Sequence, residues 1–389
     1  VAAPCRIAIA SSGLGHIRRG VESWAADLGQ ALHRAGEDIT LFQAKGPVTE
    51  PWQRVLPCVR RFEPPAARIL NVTRRLGGWR YGFGSEYEIE QSTFAFSLWR
   101  DIRSDYDILN VQDPLVALIL DRLHRAGLSR PVPILAHGTE EEPERLRKYS
   151  VLQHLSPVYR EEWKSQAPAS QLNFAIPNFI DTEKFRPGDR PAMRRELGLP
   201  EDALIVLCVA ALKKHHKRCD VLIREFAAFR SRLAKPALLI IAGARENETP
   251  EIVELGKQLL GDSVLILEGL PRPKLVSYYQ AADIFALASL SEMFPIALLE
   301  ALGCGLPITC NNTPTLSLMA GPGGRPEDIG AEGGLVRQWM MLADPAVRRA
   351  FSEAARAHAL ETYSEPVVIR QYTEMYRTVA GTSRRAAAG

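Results

Sequence analysis

"AIPNFIDTEKFRPGD", residues 175–189, separates two series of segments built to the same plan. Ahead of it, "RIAIA", "EDITLF", "YDILNV" and "PVPILA" are short apolar runs that lead into polar or helical stretches. Behind it the plan restarts with "ALIVLCVA", "ALLIIAG", "SVLILE", "DIFALA" and "LPITC". Amphipathic stretches fall between them, such as Val21–Ala35, Asp220–Arg232 and Ile252–Leu260. Near-continuous apolar strands separated by helices predict parallel sheets covered on both faces. The restart predicts two of them, so the expected fold is α/β with two doubly wound lobes joined near residues 176–189.

Bulk properties narrow the function classes. A chain of 389 residues has room for about two to three domains, each with its own core. Hydrophobic residues make up 46% and charged residues 24%, which suits a globular chain and not a disordered one. A formal net charge of +3 gives no general argument for nucleic-acid binding. Charge is uneven locally: Arg60, Arg61, Arg68, Arg74, Arg75 and Arg80 face only Glu63, so the segment either meets an anion or is a solvated basic loop. The six cysteines, Cys5, Cys58, Cys208, Cys219, Cys304 and Cys310, form no CxxC pair and suggest buried thiols, not a disulfide framework or zinc cluster. "VAAPCRIAIA" has too short an apolar run for a signal peptide, and no stretch reaches the roughly twenty apolar residues of a membrane span. A cytoplasmic location is the expectation, with peripheral contact at the inner membrane surface left open.

In an open parallel sheet, ligands gather beyond the carboxyl ends of the strands, and two facing sheets enclose a cleft there. The residues just beyond each strand are therefore the informative ones. Gly13, Gly15 and His16 come after the first, Asp113 comes after "YDILNV", and His137 ends "PVPILAH". In the second series the positions bring Lys213, Lys214, Lys217 and Arg218, then Gly243 and Arg245, then Glu268 and Gly269, then Ser289–Glu292, then Asn311 and Asn312. "SEMFPIALLEALGCGLPITC", residues 291–310, is a turn, a helix and the next strand, with Pro295 near the first helical position, where its missing amide hydrogen costs nothing. The amides from Met293 to Ile296 are placed to hold a phosphate at the positive end of the helix. Glu292 precedes the helix, and Glu300 comes about a turn and a half later, where a carboxylate can accept hydrogen bonds from sugar hydroxyls. The plain alternative makes Glu292 a helix cap and Glu300 a solvent-facing acid. Its apolar neighbours Leu298, Leu299, Ala301 and Leu302 argue against that, because an acid in such a setting needs a partner.

The stretch "SEMFPIALLEALGCGLPI" resembles the signature of glycosyltransferase family 4, retaining enzymes of the GT-B fold with two Rossmann-like lobes facing across a cleft. "VLCVAALKKHHKRCDVLIREFAAF", "IPNFIDTEKFRP", "LVSYYQAADIFALAS" and the closing helices "ADPAVRRAFSEAARAHALETYS" to "QYTEMY" agree in order. The resemblance implies an acceptor-side lobe over 1–178, completed by a C-terminal helix at 364–381, and a donor lobe over 179–363. It places Glu300 on the nucleotide ribose and Glu292 on the transferred sugar. Met293, Phe294, Pro295 and Ile296 would lie by the donor phosphates or sugar, and Gly13 and Gly15 by the diphosphate. His137 would lie by the sugar near the reaction centre, and Lys217 on the phosphates. Arg218 and Gly269 join the expected donor site. One departure stands out: the family usually has "G-R-L" where this chain has "A-A-L", so Ala211 replaces a phosphate-binding arginine and Lys213 or Lys214 would have to supply the charge.

The implied reaction moves a hexosyl unit from a nucleoside-diphosphate sugar, UDP before GDP or ADP, to a hydroxyl on a small molecule, glycan or lipid-linked acceptor. It needs no metal or other cofactor, and the protein would be a monomer or homodimer. A nucleotide-sugar binding protein without catalysis, or an epimerase or phosphorylase of the same fold, are the alternatives. For the acceptor, His16, Arg74, Arg75, Trp79, Tyr81 and Asp113 are the candidates, with Phe83 and Tyr87 as further aromatics; the same aromatics could instead fold their loop down, and His16 could be a plain helix-start residue. Glu140, Glu141 and Glu142 would suit a cationic acceptor. Asp105 and Asp107, the only D-x-D triplet, precede a strand and read as a cap or solvated acids, and His215 with His216 reads as a rim and not a metal site. "GLGHIR" is weakly like a dinucleotide fingerprint, Arg18 standing where a third glycine belongs.

Overall fold

A computed structural model describes residues 5–17, 20–138 and 141–388; Arg18 and Glu140 lie outside the described residues. Contacts divide the chain into two compact units, Val1–Pro177 with Ile369–Gly389, and Asn178–Val368.

The first unit holds a seven-stranded sheet in the order β3-β2-β1-β4-β5-β6-β7. Its strands are β1 (Ile7–Ser11), β2 (Ile39–Gln43), β3 (Gln53–Val55), β4 (Ile108–Val111), β5 (Val132–His137), β6 (Val151–His154) and β7 (Leu172–Ala175). Every pairing is parallel. β1, β2, β4, β5 and β6 are buried throughout, and the first four accordingly read as near-continuous apolar runs with almost no alternation. Phe94, Leu98 and Ile102 of the helix Glu86–Ile102 pack with Phe42, Leu109 and Val116 in this core. That helix starts where it does because Ser85 accepts a hydrogen bond from the Glu88 amide while Glu88 reaches back to the Gly84 amide. The C-terminal helix Glu365–Ala388 adds Tyr372 and Tyr376: Trp24 Nε1 and Gln153 Nε2 donate to the Tyr372 hydroxyl at 3.2 and 2.8 Å, and Asn110 Nδ2 to that of Tyr376 at 2.8 Å.

The second unit holds β8 (Leu204–Val209), β9 (Ala237–Gly243), β10 (Val264–Glu268), β11 (Ile284–Ala286) and β12 (Ile308–Thr309), in the order β10-β9-β8-β11-β12. These are also parallel throughout. Val206, Leu239 and Ile241 pack with Phe226, Phe229 and Trp339. Four cysteines, Cys208, Cys219, Cys304 and Cys310, are buried and unpaired. Among the described residues no helix is long and apolar enough to cross a membrane.

In both sheets the chain leaves the first strand in one direction and later returns on its other side. The reversal falls between β1 and β4 in the first unit and between β8 and β11 in the second. Loops leaving two adjacent strands in opposite directions leave a crevice at their carboxyl ends, so each unit brings its own pair of loops together.

Candidate active site

In the second unit those loops are Ala210–Arg218 after β8 and Leu287–Pro295 after β11. They bring Lys217 Nζ into direct contact with the Glu292 carboxylate, and both side chains are largely buried. The backbone holds Lys217 between two left-handed residues that are not glycine, His216 at φ 69° and Arg218 at φ 50°. Such conformations are costly and cluster where a loop is shaped for function. Of the lysines able to offset Ala211, Lys214 is tied to Glu251 through its ammonium and to Glu248 through its amide, whereas Lys213 forms no ion pair among the described residues. Arg218 is turned to the carbonyl of Ile329, to which Nη1 donates at 2.9 Å. Gly269 lies in a left-handed turn after β10, its amide bonded to the Gly243 carbonyl at 2.8 Å.

The helix after β11 runs Ile296–Gly303, so Pro295 is the residue before it and not its first member. Its first amides have no acceptor within the helix. Phe294 does not face outward: its ring packs edge-on to Tyr363 at 5.9 Å, and its carbonyl accepts from Asn178 Nδ2. Glu300 is 3% exposed, which removes the solvent-facing alternative. Arg272 Nε donates to Oε1 at 2.7 Å and the Tyr279 hydroxyl to Oε2 at 2.8 Å. Burial pushes the Glu300 carboxyl above the ordinary glutamate range, opposed by the Arg272 charge and by both hydrogen bonds. A carboxylate has about four acceptor positions, so these two bonds leave capacity for a ligand. Arg272 and Tyr279 were not anticipated from the sequence.

In the first unit the loop after β1 is held from behind. Ser12 donates its amide to Asp113 Oδ2 at 2.7 Å, and the Tyr87 hydroxyl donates to Asp113 Oδ1 at 2.9 Å. Asp113 is 1% exposed, and burial raises its carboxyl's pKa against the lowering by these bonds. The expectation that Asp113 meets an acceptor is therefore corrected: its carboxylate is consumed inside the protein in tying β4 to the loop. His16 has a similar constraint, with Nε2 2.8 Å from Glu90 Oε2 in the interior. Arg61 closes the cluster through Nε on Glu90 Oε1 at 3.0 Å, its guanidinium 4.2 Å over the Tyr87 ring. An anion does meet the basic segment at Arg61, and it is internal. Gly15 fits only as glycine, since φ is +94° and a Cβ would stand 1.8 Å from the Lys45 carbonyl oxygen. A Cβ on Gly13 would strike Glu22 Oε1 at 2.2 Å.

His137 ends β5 and pairs in register with His154 at the end of β6. His137 Nε2 and His154 Nδ1 are 2.9 Å apart, and His154 Nε2 lies 3.0 Å from Asn173 Oδ1. The directions of these bonds are set by a distant indole. Trp163 Nε1, which can only donate, bonds to Gln171 Oε1 at 2.7 Å. Gln171 Nε2 accordingly faces the carbonyls of Leu146 and Tyr149, and Asn173 Nδ2 donates to Gln171 oxygens. Asn173 Oδ1 is then the acceptor, His154 carries its proton on Nε2, and His137 donates from Nε2 and keeps Nδ1 as its acceptor nitrogen when neutral. Burial lowers the His154 pKa to about 4, with the neighbouring His137 and Arg160 acting in the same direction and the Asn173 bond against it. An unfolded histidine titrates near 6.5, so between about pH 4 and 6.5 the unfolded chain binds the extra proton. Stability is expected to be full above pH 6.5 and to fall on acidification by roughly 3 kcal/mol through this group. Nitrogen-detected NMR of the histidine rings checks it: a His154 titrating near 6.5, or protonated on Nδ1, contradicts the bond directions.

The remaining candidates are dispersed. Arg74 and Arg75 end the helix Pro64–Arg75, and Trp79 and Tyr81 sit on the short helix Gly78–Tyr81, all exposed. Asp107, read as a cap or solvated acid, is buried and clamps the Arg6 amide and Arg130 at the start of β4. His215 and His216 are exposed, and among the described residues no three His, Cys, Asp or Glu side chains gather as a metal site. A groove along the edge strand β10, lined by Leu199, Leu238, Val253 and Ile266, includes Glu268 but none of the residues expected at the donor or acceptor.

Residues 189–357 match the model of the family "Glycosyl transferases group 1". The chain has the GT-B fold, and residues 189–357 are similar to a group 1 glycosyl transferase domain. That domain holds Lys217, Glu292 and Glu300, in agreement with the resemblance carried by residues 291–308. D-inositol 3-phosphate glycosyltransferases of Acidothermus cellulolyticus and Kribbella flavida are 30% and 31% identical to it, over 54% and 52% of this chain and 49% and 50% of their own. The chain thus matches about half the length of these curated relatives. Sucrose-phosphate synthase from Thermosynechococcus elongatus is 18% identical with a TM-score of 0.76, covering 97% of this chain and 100% of that one. Anabaena HepE in complex with UDP is 15% identical with a TM-score of 0.69, covering 96% and 100%.

Proposed function

We propose that the protein transfers a hexosyl unit from a nucleoside-diphosphate sugar to an acceptor hydroxyl, with retention of anomeric configuration and without a metal ion. The observation that carries this reading is the pairing of Lys217 with Glu292 at the strand reversal of the group 1 domain, one helix start away from the buried Glu300. On donor binding Glu300 accepts hydrogen bonds from the ribose, and the amides before and at Ile296 face the diphosphate. Glu292 accepts from hydroxyls of the transferred sugar, releasing part of the Lys217 charge toward the phosphates. As the bond from the anomeric carbon to the phosphate oxygen breaks, its electron pair stays on the diphosphate. Lys217, Lys213 and the helix start stabilise that charge, which is the work a metal ion would otherwise do. The acceptor oxygen attacks the anomeric carbon from the face the diphosphate leaves, and its proton passes to a diphosphate oxygen. His137, with its tautomer set by His154, positions the sugar and takes no proton. UDP is the preferred nucleotide, supported by the UDP bound in the HepE structure. The acceptor is a small molecule, glycan or lipid-linked hydroxyl.

Incubation with UDP-, GDP- and ADP-hexoses in the presence of a chelator tests the reading. Turnover undiminished by the chelator, with product in the donor's anomeric configuration by NMR, is the expected result. An inverted product ends the same-face mechanism, and tight donor binding without turnover ends the transferase assignment.

A further inference from the structure

The two edges of the second unit's sheet are finished differently. At β12 the edge is closed, since Ile308 bridges to Gly324 and Asn311 to Glu327. At β10 it is open: among the described residues no further strand or bridge lies beside it, and Val264, Leu265, Ile266 and Leu267 are only partly buried where β8 and β9 are buried almost throughout. Native sheets guard an open edge with lysine, proline or a bulge. "VLILE" has neither residue, and its register with β9 is unbroken. Backbone geometry fixes what this edge offers. Residues of a parallel strand turn their amide and carbonyl alternately to one neighbour and to the other. The Gly269 amide goes to the Gly243 carbonyl of β9, so Leu267 and Leu265 face β9 while Val264, Ile266 and Glu268 face outward. The same three carry their side chains on one face of the sheet. That face is the one covered by the helix Thr249–Leu260, because a Cβ on Gly256 would stand 3.3 Å from Ile266 and 3.4 Å from Val264. Lys257, the next residue of that helix, is exposed, lines the groove along β10 and forms no ion pair among the described residues. Glu268, at the other end of the strand, accepts from Arg245 Nη1 at 2.6 Å.

We infer that β10 pairs antiparallel with β10 of a second copy of this chain, about a two-fold axis at Ile266. In this register Ile266 exchanges both backbone hydrogen bonds with the partner's Ile266, and Val264 exchanges both with the partner's Glu268, so every outward amide and carbonyl of the strand is used. Directly opposed residues share a face. The partner's Glu268 therefore arrives beside Val264 on the face that carries Lys257, and the two-fold makes the contact twice. Asp262, just ahead of the strand, comes toward the partner's Arg245 by the same reversal. A parallel pairing would bring like ends together, Glu268 beside Glu268, and would leave Lys257 without an acid. An edge with its cation at one end and its acid at the other complements itself only when reversed, which selects a second copy as its occupant. The pairing does not depend on glycosyl transfer.

Sedimentation velocity of the whole protein over a range of concentrations, with no donor present, tests it. A reversible dimer is expected. Lys257→Glu is expected to raise the dissociation constant roughly tenfold, since two exposed ion pairs become like-charge contacts. Adding Glu268→Lys restores opposite charges across the axis and is expected to return the constant to within about threefold of wild type. Ile266→Pro removes an amide that β9 does not use and is expected to weaken the pairing at least roughly tenfold, with the circular dichroism spectrum unchanged. A monomer at every concentration overturns the inference. So does a dimer indifferent to Ile266→Pro, which would be built on another surface, or one that Glu268→Lys weakens further in the Lys257→Glu background, which would exclude the antiparallel register. Lys257 and Glu268 are exposed, so the charge exchange decides the question even where Ile266→Pro fails to fold.

Discussion

Replacing Lys217 with methionine is expected to lower kcat about 10²–10³-fold while changing the donor's KM far less, the loss usual when one group that meets developing negative charge is removed. The substitution has a second effect that must be separated from the first. Lys217 is the cation in contact with Glu292, a side chain only 9% exposed, so its removal leaves a largely buried carboxylate without that charge. Adding Glu292→Gln removes the stranded charge and is expected to restore the melting temperature. It is not expected to restore kcat, because the diphosphate still leaves without its cation and Glu292 is itself proposed to hold the transferred sugar. Recovery of kcat in the double variant would make Lys217 a mere counter-ion of Glu292 and would remove the electrostatic step from the mechanism.

β1, β2, β4 and β5 were legible because burial on both faces leaves few polar positions to blur them, whereas β6, "VLQH", and β7, "LNFA", carry polar residues and were missed. β3, with the sequence "QRV", is an edge strand with two exposed residues and has no such signature. The glutamate spacing across 292–300 was legible too, since helix geometry converts a count of residues into a position. What holds Glu300 was not: Arg272 and Tyr279 come from another helix, 28 and 21 residues earlier, and no local period links them. Asp113 illustrates the opposite failure. It comes just after a strand, as ligand-binding acids do, and only the fold reveals that Ser12, 101 positions away, occupies it. The buried cluster around Arg61 did leave one mark. Glu90 shares a helix face with Phe94 and Leu98, at spacings of four and eight, and an acid on the apolar face of a helix calls for a buried cation.

The largest stability effect is expected far from the chemistry, at Arg194. Its guanidinium is 5% exposed and donates to the carbonyls of Ala281, Glu201 and Ala203 at 2.9, 2.8 and 3.0 Å and to Asp283 Oδ2 at 2.7 Å. Asp283 in turn accepts the Ile205 amide at 2.8 Å. One side chain therefore ties the helix Arg190–Leu197 to the starts of β8 and β11, the two strands whose far ends carry Lys217 and Glu292. Arg194→Met keeps much of the volume but takes the donor from three carbonyls and weakens the charge compensation of Asp283, whose other cations are the partly exposed Arg190 at 3.3 Å and Arg348 at 4.0 Å. A loss of about 3–5 kcal/mol is expected, as for other buried ion pairs broken on one side. For a unit of this size it corresponds to a fall of roughly 10 °C in the midpoint of unfolding. At temperatures where the variant stays folded, kcat/KM should change no more than about threefold, since the amino ends of the strands lie away from the reversal proposed to hold the donor. An unshifted melting curve would show the pair to be dispensable. A large drop in kcat/KM at full folding would mean that strand position at one end of this sheet governs geometry at the other.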